Sequence, residues 1–116
     1  MEENVKEYLK KLAKKIAINN IDLHANNYTA WPNGKHTAFA STPKVKINNL
    51  VGAGDSWDAA NIVGYLANLD AQERLLFANT YVSLYISKNP DTEPPTICDI
   101  LKVLSINDYN NIKKNN

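Results

Sequence analysis

Val5, Leu9, Leu12 and Ile16 recur at intervals of four, three and four residues, while lysines take the other positions. That spacing predicts an amphipathic helix over residues 3–18, with its apolar stripe on a core. Glu2 with Lys6, and Glu7 with Lys11, stand four apart in the order that supports a helix. Beyond the helix the period drops towards two. Ile21–Leu23 and Tyr28–Trp31 read as short strands, and Trp31-Pro32-Asn33-Gly34-Lys35 carries turn chemistry between apolar runs. Thr37–Ser41 is the returning strand of a hairpin. Pro43 interrupts it, and Lys44–Ile47 is expected to start another strand with Val45 and Ile47 on one face.

After Asn48-Asn49-Leu50-Val51 the period becomes helical. Gly52-Ala53-Gly54 is a small-residue turn, and Asp55 opens a helix expected to run to about Leu69. Asp70 followed by Glu73 is a capping-box pattern for a helix from Ala71 to about Ser87. Asn89–Pro95 reads as a proline-containing loop. Thr96 and Asp99 suggest a further cap, for a short helix through Ile97, Ile100, Leu101 and Leu104. The segment 107–116 is rich in Asn and Lys and is expected to fray. With no internal repeat and no linker, residues 1–106 are expected to form one unit of the α/β class.

Composition narrows the functional classes. The 116 residues carry 13 basic against 12 acidic side chains, a net charge of +1. That balance speaks against a nucleic-acid or membrane-surface partner, which calls for a basic excess. No apolar run reaches the roughly 18 residues that span a bilayer, and the first residues lack signal-peptide character. A single cysteine, Cys98, excludes an internal disulfide. A cytoplasmic location is the expectation. His24 and His36 have no Cys or His at zinc-ligand spacing. Trp31 and Trp57 read as core anchors, Cys98 as a structural thiol, and Lys10, Lys11, Lys14 and Lys15 as a solvated helix face.

The chemistry is concentrated in Val51-Gly52-Ala53-Gly54-Asp55-Ser56-Trp57. A strand, a glycine-rich turn and a helix start together make an anion site. The first amides of a helix have no internal acceptor, and the helix dipole adds positive potential there. Glycines let the backbone approach a phosphate closely. Asp55 can be read in two ways. Asp is favoured at helix starts as a cap. A carboxylate beside a polyphosphate also suits a base that takes a proton from an attacking hydroxyl.

Gly52-Ala53-Gly54-Asp55 followed by Ser56-Trp57 resembles the signature of the PfkB carbohydrate-kinase family, which includes ribokinase, fructokinase and adenosine kinase. Phe77-Ala78-Asn79 resembles a second family segment, 24 residues on from Asp55. The order of strand, hairpin and strand before the motif also fits. The resemblance covers roughly residues 15–104 and is sharp over Gly52–Trp57.

The resemblance implies the carboxy-terminal half of a ribokinase-like three-layer α/β/α sandwich, with an incomplete sheet and a β-hairpin at one side. It implies transfer of the γ-phosphoryl group of ATP, with Mg²⁺, to a hydroxyl of a sugar or nucleoside. Asp55 takes the catalytic base position, the amides of Gly52, Ala53 and Gly54 the anion hole, and Asn79 and Asn27 positions beside the nucleotide. His24 and Asn27 stand where the family carries nucleotide-loop glycines. Asn49 and Leu50 replace an Asp-Thr pair that serves a monovalent-cation site in many members. Asn4-Val5-Lys6-Glu7 matches a magnesium-linked Asn-x-x-Glu pattern, but closer to the following strand than the family spacing. Family members run to about twice this length or more. The chain therefore resembles a truncated product, a split half or a fragment, expected to act as a homo-oligomer or with a separately encoded amino-terminal half. A non-catalytic nucleotide-binding or interaction module is the alternative.

Overall fold

The computed structural model describes residues 2–17, 21–25, 28–33 and 36–105. Asn27 and the 107–116 tail lie outside them. The chain is of mixed helix and strand. It runs through α1 (Glu2–Ile16), β1 (Leu23–His24), β2 (Tyr28–Asn33), β3 (His36–Ser41), α2 (Ala53–Leu66) and α3 (Ala71–Ser87), and residues 97–105 form a further helix.

On α1 the predicted stripe holds in part. Leu9 is fully buried while Ile16 stays exposed, and Glu7 pairs with Lys11 at 2.7 Å. That pairing holds the Glu7 carboxyl below its ordinary value, through the lysine's hydrogen bond first and its charge second.

The three strands form one antiparallel sheet in the order β1-β2-β3. Leu23 faces Ala30, and the β2–β3 register runs from Tyr28 opposite Ser41 to Asn33 opposite His36. Two expectations change here. The first strand comes later than Ile21–Leu23. β2 runs through Pro32 to Asn33, which leaves Gly34 and Lys35 between the paired ends. Asp22, expected in a strand, instead turns to α3. Its carboxylate accepts from the Arg74 guanidinium at 3.0 Å and from the Asn61 side-chain amide at 2.7 Å, and Asn61 Oδ1 accepts from the same guanidinium nitrogen. Arg74 is thus a buried charge held by partners on two other segments.

The expected strand at Lys44–Ile47 does not form. Residues 42–47 lie outside any strand, with Val45 and Ile47 exposed. A strand needs a neighbour to satisfy its amides and carbonyls, and no other strand lies beside this segment among the described residues.

The helices are fixed at their ends by local chemistry. Asp70 accepts the Glu73 amide at 2.8 Å and Glu73 accepts the Asp70 amide at 3.0 Å, the reciprocal cap expected for α3. Thr96 and Asp99 make the same exchange before residues 97–105. Those bonds from Thr96, backbone first, hold the Asp99 carboxyl below its usual value. α2 ends at Leu66, three residues short of the expected Leu69. Asn68 enters the left-handed region at φ 57°, its amide reaches Tyr65 O, and the Leu69 amide reaches Gly64 O at 3.0 Å. This is a Schellman ending, with asparagine in place of the usual glycine. Cys98 is a free thiol and is exposed, because it sits on the outer side of that last helix.

The core lies between α2, α3 and β3, formed by Ala40, Trp57, Ala60, Leu75, Ala78 and Val82. Its alanines let the helices approach closely. At Gly64 the fit is tightest, since a Cβ there would stand 3.0 Å from Arg74 Cγ.

Candidate functional site

The turn that leads into α2 is built on Gly52, which caps the helix in the left-handed region at φ 78°. No side chain caps this end. The Ala53 amide closes back on Leu50 O at 3.1 Å, and the Ser56 amide reaches Gly52 O at 2.8 Å. Among the described residues the amides of Gly52, Gly54 and Asp55 have no protein acceptor. A helix start with open donors and no side-chain cap leaves a place for an anion. Gly54 adds to the access, because a Cβ built there would meet nothing within 4 Å.

Asp55 is exposed in the first turn of α2, in the third helical position. Its carboxylate caps no amide there. The cap reading of this residue therefore lacks the hydrogen bond that Asp70 and Asp99 both make at their own helices.

Two residues downstream, Trp57 points the other way. It is 2 % exposed, and its indole Nε1 donates to Asn79 Oδ1 at 2.9 Å. The Asn79 amide nitrogen in turn donates to Ala40 O at 3.3 Å and Ser41 O at 3.2 Å. Asn79 is 0 % exposed, so both ends of its side chain are committed inside the chain. In this arrangement it joins α2, α3 and the end of β3, and it has no surface on which a nucleotide could lie.

The His24 ring stacks on Trp57, with centroids 4.6 Å apart and planes 11° from parallel. Desolvation against that ring lowers the imidazole pKa, and the Asp58 carboxylate opposes the shift. His24 is therefore held by the same tryptophan that Asn79 fixes.

Sequence reading missed the support behind the turn. Tyr85, on the last turns of α3, donates its hydroxyl to Val51 O at 3.0 Å. The amides of Asn48 and Asn49 both donate to Ile86 O, at 2.8 and 3.1 Å, and the Asn48 side chain donates to Ser87 O. These pairs are 34 to 39 residues apart in sequence, and no local pattern announces them. Beside them a cavity of about 170 Å³ is lined by Asn49, Tyr85, Lys88, Thr92 and Glu93 with the adjoining prolines.

No group of three or more His, Cys, Asp or Glu among the described residues could hold a metal ion. Glu7 of the Asn-x-x-Glu pattern is engaged with Lys11. No helix of the described residues is long and apolar enough to cross a membrane.

A family model described as pfkB family carbohydrate kinase matches residues 2–97. No curated protein matches the chain in a sequence search. Solved structures do. A 2-dehydro-3-deoxygluconokinase from Thermotoga maritima aligns with TM-score 0.70 at 24% identity, over 89% of this chain and 34% of its own. A nucleoside kinase from Methanocaldococcus jannaschii, an archaeal member of the ribokinase family, aligns with TM-score 0.67 at 16% identity, over 87% of this chain and 38% of its own. An E. coli protein described as a Ribokinase II, in complex with ATP and Mg²⁺, aligns with TM-score 0.68 at 18% identity, over 77% of this chain and 30% of its own. At such identities the likeness is one of fold. The chain spans about a third of the length of these structures.

Proposed function

The chain belongs to the pfkB family of carbohydrate kinases, and from that premise we propose that it forms the phosphate-gripping part of an ATP-dependent sugar or nucleoside kinase. The observation that carries the proposal is the turn at Gly52–Asp55, where unbonded amides and an exposed carboxylate stand side by side. A hydroxyl of the acceptor attacks the γ-phosphorus of ATP. The new O–P bond forms as the bond to the ADP oxygen breaks, and the hydroxyl proton passes to the Asp55 carboxylate. The amides of Gly52 and Gly54 receive the negative charge that develops on the transferred group. The Ala53 amide joins them only by releasing Leu50 O, its acceptor here. Asn79 acts at one remove, through Trp57 and the end of β3, in place of the position beside the nucleotide that the resemblance implied.

Mg²⁺, which the family implies, supplies charge neutralisation on the phosphates. The described residues form no cage for it, and no step here depends on one. The acceptor pocket and the strand that would lie against residues 42–47 are assigned to polypeptide outside these 116 residues, whether in the same protein, another copy or a separately encoded amino-terminal half. Val45, Ile47, Leu50 and Val51, all exposed, support that assignment.

The test is Asp55→Asn, isosteric and uncharged. In the assembly that turns over acceptor, kcat is expected to fall by about two orders of magnitude or more, while ATP affinity is kept or improved. Equal turnover by mutant and parent rejects Asp55 as the base.

A further inference from the structure

We infer that Tyr85 is a positioning residue for the phosphate-binding turn, with its hydroxyl holding the Val51 carbonyl so that Gly52 keeps its left-handed form and its neighbours' amides stay presented. The inference rests on the reading of that turn as the anion site, and adds to it a part that no motif supplies. Three observations meet here. The Tyr85 hydroxyl donates to Val51 O at 3.0 Å. The same oxygen lies 3.1 Å from where a Cβ on Gly52 would stand, so tyrosine and glycine fit each other face to face. Ahead of Gly52 in the chain, Asn48 and Asn49 are held to Ile86 O, and Asn48 also to Ser87 O. The end of α3 thus grips the chain just before the turn, and Tyr85 is the one of these contacts that reaches the turn itself.

The physical logic is one of preorganisation. Val51 O precedes Gly52 directly, so fixing the carbonyl fixes the peptide plane that carries the Gly52 amide. Without an anchor the left-handed residue samples other conformations freely, because glycine has no side chain to restrict it. Amides already aimed at an anion do not lose binding free energy to ordering when it arrives. The phenol ring packs whether or not its hydroxyl is present, which separates this role from a contribution to the core.

The experiment is Tyr85→Phe in the full chain, with Tyr85→Leu, which removes the ring as well, as the reference for a loss of packing. Hydrogen exchange at the Ala53 and Ser56 amides reports the turn directly, since their acceptors are Leu50 O and Gly52 O. Titration with ATP, followed by the amide signals of Gly52 and Gly54, reports binding. Loss of the hydroxyl is expected to speed exchange at Ala53 and Ser56 about fivefold and to weaken ATP by a similar factor, the scale of one hydrogen bond. Exchange in the middle of α3 stays as in the parent. Unchanged exchange at both amides overturns the inference. Faster exchange in a protein whose parent form shows no ATP response leaves the clamp standing and removes the phosphate reading of the turn.

Discussion

Trp57 and Asp55 stand two residues apart on one helix and belong to opposite kinds of region. On the Trp57 side, the floor, the polar groups are largely answered: the indole by Asn79, Asn79 by the end of β3, and Phe39 by the side-chain amide of Gln72, which both accepts from and donates to it, with the buried Thr42 hydroxyl left as the exception. On the Asp55 side the amides of Gly52, Gly54 and Asp55 have no acceptor among the described residues, and the carboxylate faces solvent. Unmet donors are costly in an interior and useful at a surface that receives a ligand.

The largest expected effect breaks the floor. Asn79→Leu keeps the branch at Cγ and removes three hydrogen bonds at once, leaving the Trp57 Nε1–H buried and unpaired. A loss of about 3 kcal/mol is expected, from the buried donor and the two carbonyls together. Chemical denaturation measures it directly. A loss below about 1 kcal/mol would mean that the three elements hold without this residue, and the contrast between floor and turn would fail.

A smaller effect belongs to the turn. Gly52→Ala places a Cβ at φ 78° and 3.1 Å from the Tyr85 hydroxyl. The left-handed conformation alone costs a non-glycine residue about 1–2 kcal/mol. The protein should fold, with stability lower by that amount and ATP response lost, as followed by thermal melting with and without nucleotide. Retained ATP response in a folded Gly52→Ala variant would show that the left-handed bend is not needed to present the amides.

The sequence made the local features readable and the distant ones opaque. The caps at Asp70–Glu73 and Thr96–Asp99 lie within three residues, so their donors and acceptors can be paired on the page. The bend at Gly52 is legible for the same reason, although α2 begins at Ala53, two residues before the expected start at Asp55. Asp22 with Arg74, and Tyr85 with Val51, are 52 and 34 residues apart, and no periodicity points to them. Asn79 illustrates a third case. Its segment was recognisable, yet only the packing of Trp57 reveals that its amide is already spoken for. Lys44–Ile47 failed as a strand although its alternation is sound, because strand formation depends on a neighbour that the pattern itself cannot supply.

The smallest effect sharpens the border between the two regions, at His24. Partial desolvation of the His24 ring, which stacks on Trp57 yet stays exposed on its other side, lowers the imidazole pKa below its ordinary value near 6.5, and Asp58 works against the shift. A base with a depressed folded pKa binds its proton more readily when unfolded. The folded state is therefore favoured fully above about pH 6.5 and loses that advantage as the pH falls towards the folded value. Melting temperature is expected to decline between pH 7.5 and 5.5. His24→Gln should flatten that part of the decline, and Asp58→Asn, which removes the opposing charge, should steepen it. If His24→Gln leaves the slope unchanged, the ring is titrating as a solvated group, and the stack on Trp57 belongs to the open side of the site and not to its floor.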